Sequence, residues 1–162
     1  EFDGVFYVDD YFTIKPNITI SSNKNNDYLT QFDGSLQNFG KTDISFSPNL
    51  IFGNSIEFKM NDKTLLFFNT KYVGKQYMSN TNVESSVLAS YLVNDLGLNH
   101  SFSIPGFSYD SELKLLINNL FNQKYESYGG HYFYDIDNKT FSGAYFYPMA
   151  EINFLIGLDF NF

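Results

Sequence analysis

The chain has 162 residues and a formal net charge of -8, and all ten of its bases are lysines. A nucleic-acid partner needs a basic face and arginine forks for phosphate and guanine, so that class is excluded. The absence of cysteine rules out a disulfide framework and thiolate metal sites, and 20% aromatic residues beside 17% charged ones is the reverse of a disordered chain.

Alternation of apolar and polar residues predicts seven antiparallel strands, at about 2–8, 11–22, 41–60, 64–77, 87–103, 109–120 and 145–162. In the second, Phe12, Ile14, Ile18 and Ile20 alternate with Thr13, Lys15, Asn17, Thr19 and Ser21. In the third, the even positions from Ile44 through Phe46, Phe52, Ile56 and Phe58 to Met60 are apolar but for Asn54, while the odd ones are mostly polar. Leu113, Leu115 and Ile117 continue the pattern, as do Ile152, Phe154, Ile156, Leu158, Phe160 and Phe162. Short turns are expected at Asp9-Asp10, Asn61-Asp62-Lys63 and Ile104 to Ser108, and longer polar links at 23–40, 78–86 and 121–144. Short turns at one end of a meander and long loops at the other are the layout of an outer-membrane barrel. A soluble sandwich also alternates, but its strands average about five or six residues, fewer than the run over 43–60. Aromatic residues near strand ends (Phe58, Phe102, Tyr145, Phe146, Tyr147, Phe160) also fit membrane girdles. Apolar runs such as Leu65 to Phe68 are far short of the roughly 20 residues of a membrane helix. The opening Glu1-Phe2-Asp3 carries no signal peptide, as expected of a processed chain or an internal piece.

The polar parity places Lys15, Asn17, Thr19, Asp43, Ser45, Glu57, Lys59, Glu151, Asn153 and Asp159 toward a lumen. In the last long link His131 stands beside Tyr128, Tyr132 and Tyr134, a candidate ligand contact at the mouth, against the plainer reading of a solvated loop. Asp135-Ile136-Asp137-Asn138 opens like a calcium loop but has Thr140 where glycine belongs and Phe146 where glutamate belongs. Asn99-His100-Ser101 offers hydrolase residue types, yet neighbours in a strand point to opposite faces. Ser21 to Lys24 matches a Ser-x-x-Lys pattern without its companion motifs. No catalytic residue, metal site or cofactor is therefore expected.

Several segments, in order, are similar to Bacteroidetes-type TonB-dependent outer-membrane receptors. They are Asp43 to Asn49, Lys71-Tyr72-Val73-Gly74-Lys75-Gln76-Tyr77, Ser90 to Leu96, Asn118-Asn119-Leu120-Phe121-Asn122 to Ser127, and Tyr145 to Phe162 with its Tyr147-Pro148 step. Met149-Ala150-Glu151 departs from the Gly and Arg or Thr often found after that step. The resemblance implies the C-terminal part of a barrel of about 22 strands with a plugged lumen. Its partners would be outer-membrane lipid, the plug of the same full-length chain, TonB reached through the N-terminal part, and the barrel-assembly machinery, with Phe162 as the assembly signal. The implied activity is energised uptake of a siderophore, haem, cobalamin or oligosaccharide. The alternative is a small self-contained barrel of structural or adhesive role.

Overall fold

The computed structural model describes residues 1–32, 34–104, 110–137 and 139–160. β1 (Phe2–Asp3) and β2 (Phe6–Tyr7) run in one register along β3 (Phe12–Ile20). They form one strand interrupted opposite Pro16: the Gly4 N–H donates to the Pro16 carbonyl at 3.0 Å, and proline has no N–H to return. β4 (Lys24–Asn25), the hairpin of β5 (Leu29–Phe32) and β6 (Ser35–Asn38), and β7 (Thr42–Asp43) make up the first long loop. β8 (Leu50–Asn61) and β9 (Thr64–Val73) follow. The second loop holds β10 (Gln76–Tyr77), a 3₁₀ turn over Glu84–Ser86 and β11 (Val87–Leu88). β12 (Tyr91–Ser103) and β13 (Asp110–Asn118) lead to the third loop, a hairpin of β14 (Glu126–Ile136) and β15 (Lys139–Pro148), before β16 (Asn153–Asp159).

The main sheet is an open antiparallel meander in the order β1/β2, β3, β8, β9, β12, β13, β16, with no crossover. The seven strand positions are those expected from alternation. β8, β9, β12 and β13 have 12, 10, 13 and 9 residues, which meets the roughly 9–11 of a tilted membrane strand. Side chains directly opposite in an antiparallel pair share a face, and the registers align rows that are almost uniformly apolar. One row runs Ile14, Ile56, Phe68, Leu96, Ile117, Phe154, and the next runs Phe58, Leu66, Leu98, Leu115, Ile156.

No second layer covers this face. Among the described residues the buried hydrophobics are Val73, Met78 and Leu88, at the end of the sheet that carries the long loops, whereas Phe154 and Ile156 are 75% and 68% exposed. The accessible surface is 10673 Å², against about 8,300 Å² for a compact monomer of this mass. A sandwich with a dry core is therefore excluded. No helix among the described residues is long and apolar enough to cross a membrane.

Four predicted strands are broken: 64–77 and 87–103 lose Gln76–Tyr77 and Val87–Leu88, which pair with each other in the second loop, and 41–60 and 145–162 are divided as well. Over 41–60, β7 belongs to the first loop, and Phe46 sits in a turn at φ 53°, a region that bulky side chains rarely adopt. The turn is imposed from outside: the N–H groups of Ser45 and Phe46 donate to Asn80 Oδ1 (2.7 Å) and the Tyr77 carbonyl (2.8 Å) in the second loop. Over 145–162, Tyr145, Phe146 and Tyr147 pair with β14 instead of forming a girdle, and a new strand starts at Asn153.

Candidate functional site

Two surfaces carry chemistry: the polar face of the sheet and the cap built by the three long loops. On the polar face lie Lys15 and Asn17 of β3, Glu57 and Lys59 of β8, and Asn153 and Asp159 of β16, as their pairing requires. The charges are locally matched. Lys15 pairs with Glu57 at 2.6 Å, Lys59 with Asp62 at 2.8 Å, and Lys114 with Asp159 and with Glu112 at 3.2 Å. Exposed pairs of this kind contribute little stability; they keep the face hydrated and near neutral. Asp43 and Glu151 lie off it. Asp43 stands in β7 across from Lys24, and Glu151 precedes β16 and meets Lys124 at 3.4 Å.

The loops join through side chains that substitute for backbone partners. The Asp43 N–H donates to Asn82 Oδ1 at 2.9 Å, and Asn82 Nδ2 donates to Asp43 Oδ2 at 3.0 Å. The hydrogen bond from Lys24, helped by Asn82, holds the Asp43 carboxyl below the usual carboxylate range against the opposing effect of burial. The third loop docks on the first two. The Phe133 ring meets Phe32 edge-on at 5.0 Å, Asp135 Oδ2 accepts from the Gly34 N–H at 3.1 Å, and Tyr128 stacks on Phe46 at 5.2 Å.

Of the four residues expected at the mouth, all lie on β14, but alternation divides them. Tyr128, Tyr132 and Tyr134 point to one side of the hairpin, and His131 to the other. His131 Nε2 shares a 2.9 Å hydrogen bond with Ser85 Oγ, while its Nδ1 is buried without a partner among the described residues. Burial holds this imidazole below its ordinary pKa. It is a wedge between loops rather than a free ligand.

Where the third loop leaves the sheet, a cavity of about 300 Å³ opens, lined by Lys71, Tyr91, Asp95, Tyr125 and Asn153 among others. The Tyr91 and Tyr125 rings lie 4.4 Å apart, and burial raises the Tyr125 phenol pKa. Asn119 lines the cavity, and Asn122 stands in the turn that follows; the sequence pattern assigns neither a role. Asn119, 3% exposed and at φ 50°, donates through Nδ2 to the Gln123 and Ala150 carbonyls and accepts from the Gln123 N–H. Asn122, at φ 52°, accepts from the Ile152 N–H at 2.9 Å. Asparagine tolerates the left-handed region, and its amide mimics a peptide.

His100 shares the apolar face with Leu98 and bonds Thr64 Oγ1 at 2.9 Å, on the opposite side from Asn99 and Ser101. No cluster of three or more metal-ligating side chains occurs among the described residues. Phe162 lies outside them, as do most of the Ile104 to Ser108 turn and Asn138.

An open meander with a bare apolar face, a charged opposite face and loops gathered at one end has the form of a stretch of barrel wall. The structure is similar to the crystal structure of the siderophore receptor PiuA from Acinetobacter baumannii, with a TM-score of 0.72 and 14% sequence identity over 96% of this chain. The chain has the fold of a receptor-barrel section. It spans about a fifth of the length of that receptor, covering 20% of it. No family model matches the sequence, and no curated protein is similar to it. The likeness to Bacteroidetes-type receptors rests on the sequence motifs, and the structural likeness carries the barrel fold.

Proposed function

We propose that the chain is the C-terminal barrel section of a TonB-dependent outer-membrane receptor that takes up a scarce nutrient without covalent chemistry. The observation that carries this reading is the two-faced, single-layer meander: an apolar surface with nothing to bury it needs lipid, and the opposite charged surface needs water. On this reading Lys15, Asn17, Glu57, Lys59, Asn153 and Asp159 face the lumen, where a plug from the same full-length chain forms and breaks hydrogen bonds with them. Asp43 and Glu151 serve the loop cap instead. The edge of β16 presents free backbone groups to the barrel-assembly machinery during insertion.

The test uses cells carrying the full-length gene. The protein is expected in the outer-membrane fraction, heat-modifiable on gels, and its deletion should abolish uptake of one nutrient to the same extent as loss of TonB. Recovery in a soluble or inner-membrane fraction, or uptake indifferent to TonB, would overturn the proposal. An outer-membrane location with no uptake defect would favour the structural or adhesive barrel.

A further inference from the structure

On the apolar face, the even positions of β9 and β12 hold leucine or aromatic residues except at Thr64 and Thr70 of β9 and Asn94 and His100 of β12. These four are not scattered. The register sets Thr64 opposite His100 and Thr70 opposite Asn94. Thr64 Oγ1 shares a 2.9 Å hydrogen bond with His100 Nδ1, and Thr70 Oγ1 donates to Asn94 Oδ1 at 2.8 Å. Thr70 also has Asn54 of β8 directly opposite on its other side, yet Asn54 Oδ1 is buried without a partner among the described residues. Polar groups on a lipid-facing surface are costly unless they satisfy each other. Here all four do so across one seam.

What such a pair adds is register. Backbone bonds form equally well in any register, and a slip of two residues keeps every side chain on its own face. β8 and β9 are held by their turn, since Asn61 pairs with Thr64 around Asp62-Lys63 alone. β9 and β12 have no such turn. Their ladder resumes at Gln76–Tyr77 against Val87–Leu88, and the Met78 N–H on the Ser86 carbonyl closes it over residues 79–85. A slip one way sets Thr70 opposite Leu92, Asn94 opposite Phe68 and Thr64 opposite Leu98; a slip the other way sets Thr70 opposite Leu96, Asn94 opposite Tyr72 and His100 opposite Leu66. Both slips part the pairs and leave hydroxyl, amide and imidazole facing hydrocarbon. The pairs lie six residues apart on each strand, so one register satisfies both.

We propose that Thr64–His100 and Thr70–Asn94 are register pins that hold β9 against β12 in a single alignment during assembly. The two other seams spanned by long loops also carry side-chain pairs, Lys15–Glu57 between β3 and β8 and Asn118–Asn153 between β13 and β16, while none among the described residues joins β8 to β9. On the polar face the Phe67 ring crosses Gly97, where a Cβ would collide with it, and this contact favours the same register. Register fixes the shear of a barrel and with it the diameter. It also sets where the second loop presents Asn80 and Asn82 to the first. The proposal rests on the reading that the bare face meets lipid.

The test is disulfide trapping in the full-length receptor, assembled in cells, with any other cysteine replaced by serine. Leu66→Cys with Leu98→Cys reads the native register. Leu66→Cys with Leu96→Cys, and Phe68→Cys with Leu98→Cys, read the two slips, because diagonal neighbours stand about 7–8 Å apart, past the reach of a disulfide. With the pins present, only the first pair should close under copper phenanthroline. Thr64→Val, Thr70→Val, Asn94→Leu and His100→Leu together keep the face apolar, and should raise closure of the slip pairs at least tenfold in receptor that still inserts and is heat-modifiable. Thr70→Asn with Asn94→Thr, combined with Thr64→Val and His100→Leu, restores one pin in reverse and should return slip closure to its original level. If the fourfold variant does not insert, Thr70→Val with Asn94→Leu alone carries the comparison. Slip pairs that stay open without the pins, or that close equally with the reversed pin, would overturn the proposal. The lipid reading is checked separately: rapid reaction of Leu66→Cys alone with a charged maleimide would remove lipid from this face, whatever the trapping shows.

Discussion

Asn119→Ala tests how the third loop is tied to the sheet. The Asn119 side chain makes three hydrogen bonds, at 2.9 Å to the Gln123 carbonyl, 3.1 Å to the Ala150 carbonyl and 2.8 Å from the Gln123 N–H. Alanine removes all three, at about 1 kcal/mol net each. It also leaves a residue without a peptide-mimicking amide at φ 50°, which costs roughly 1 kcal/mol more. The sum, about 4 kcal/mol, corresponds to a shift on the order of a thousandfold in the opening equilibrium of the loop junction. The effect is local, because the apolar rows of the sheet do not pass through Asn119. Hydrogen exchange of the full chain in detergent, read by mass spectrometry over 119–152, should show faster exchange at Gln123, Met149 and Ile152, with β9 and β12 unchanged. Asn119→Gly, which accepts the backbone angle freely, should recover only the conformational part. Undiminished protection at Met149 and Ile152 in the alanine variant would refute the reasoning, as would a loss spread evenly through the sheet.

Ile156→Lys, at mid-strand on the bare apolar face, should cost about 2–4 kcal/mol, read as a shift of the urea midpoint for folding into phospholipid vesicles. Thr13→Lys on the other face, opposite Glu57, should cost about 0.5 kcal/mol or less, and equal costs would show the faces to be misassigned. His131 is held below its ordinary pKa of about 6.5, so above that value it is neutral both docked and released, and pH has no grip. As pH falls below it the released state takes up the proton first and docking weakens, so protection factors over 129–135, corrected for the intrinsic pH dependence of exchange, should fall from pH 7.5 to 5.5; His131→Gln should abolish that fall. The Asp43 carboxyl is depressed by Lys24, so its contribution is complete above the ordinary carboxylate range and is lost as pH falls through the lower folded value. Proteolysis of the first loop by pepsin should therefore rise steeply in acid, and Asp43→Asn should be sensitive already at less acidic pH.

The meander was legible because each of its strands carries two unlike faces. Even positions on β3, β8, β9, β12 and β16 and odd positions on β13 carry the apolar face, each strand keeping one parity along its length, and the registers turn those parities into aligned rows. The strand ends were not legible, because the loops are also β and use the same alphabet. Ile44 and Phe46 continue the parity of Phe52 across a turn that only Asn80 and the Tyr77 carbonyl dictate. Tyr145 and Tyr147 alternate as well as Phe154 and Ile156 do, and nothing local says that the first pair belongs to a hairpin.

The cap was the least legible part, since its organisers are asparagines with no periodicity. Asn82, Asn119 and Asn122 all adopt positive φ, and a signal existed in their residue type: asparagine clustered between strands marks left-handed turns. The hairpin itself follows from a pattern that a loop assignment hides. Once 126–136 is taken as a strand, parity separates His131 from Tyr128, Tyr132 and Tyr134, and the glycines at 130 and 143 fall opposite Tyr145 and Tyr132. Glycine weakens a strand by roughly 0.5–1 kcal/mol relative to alanine, and the cross-strand rings of Tyr145 and Tyr132 cover the backbone that Gly130 and Gly143 leave bare. Each ring needs the glycine opposite it, and that pairing is set by the register, so the same residues read as a solvated loop in one dimension and as a packed hairpin in three.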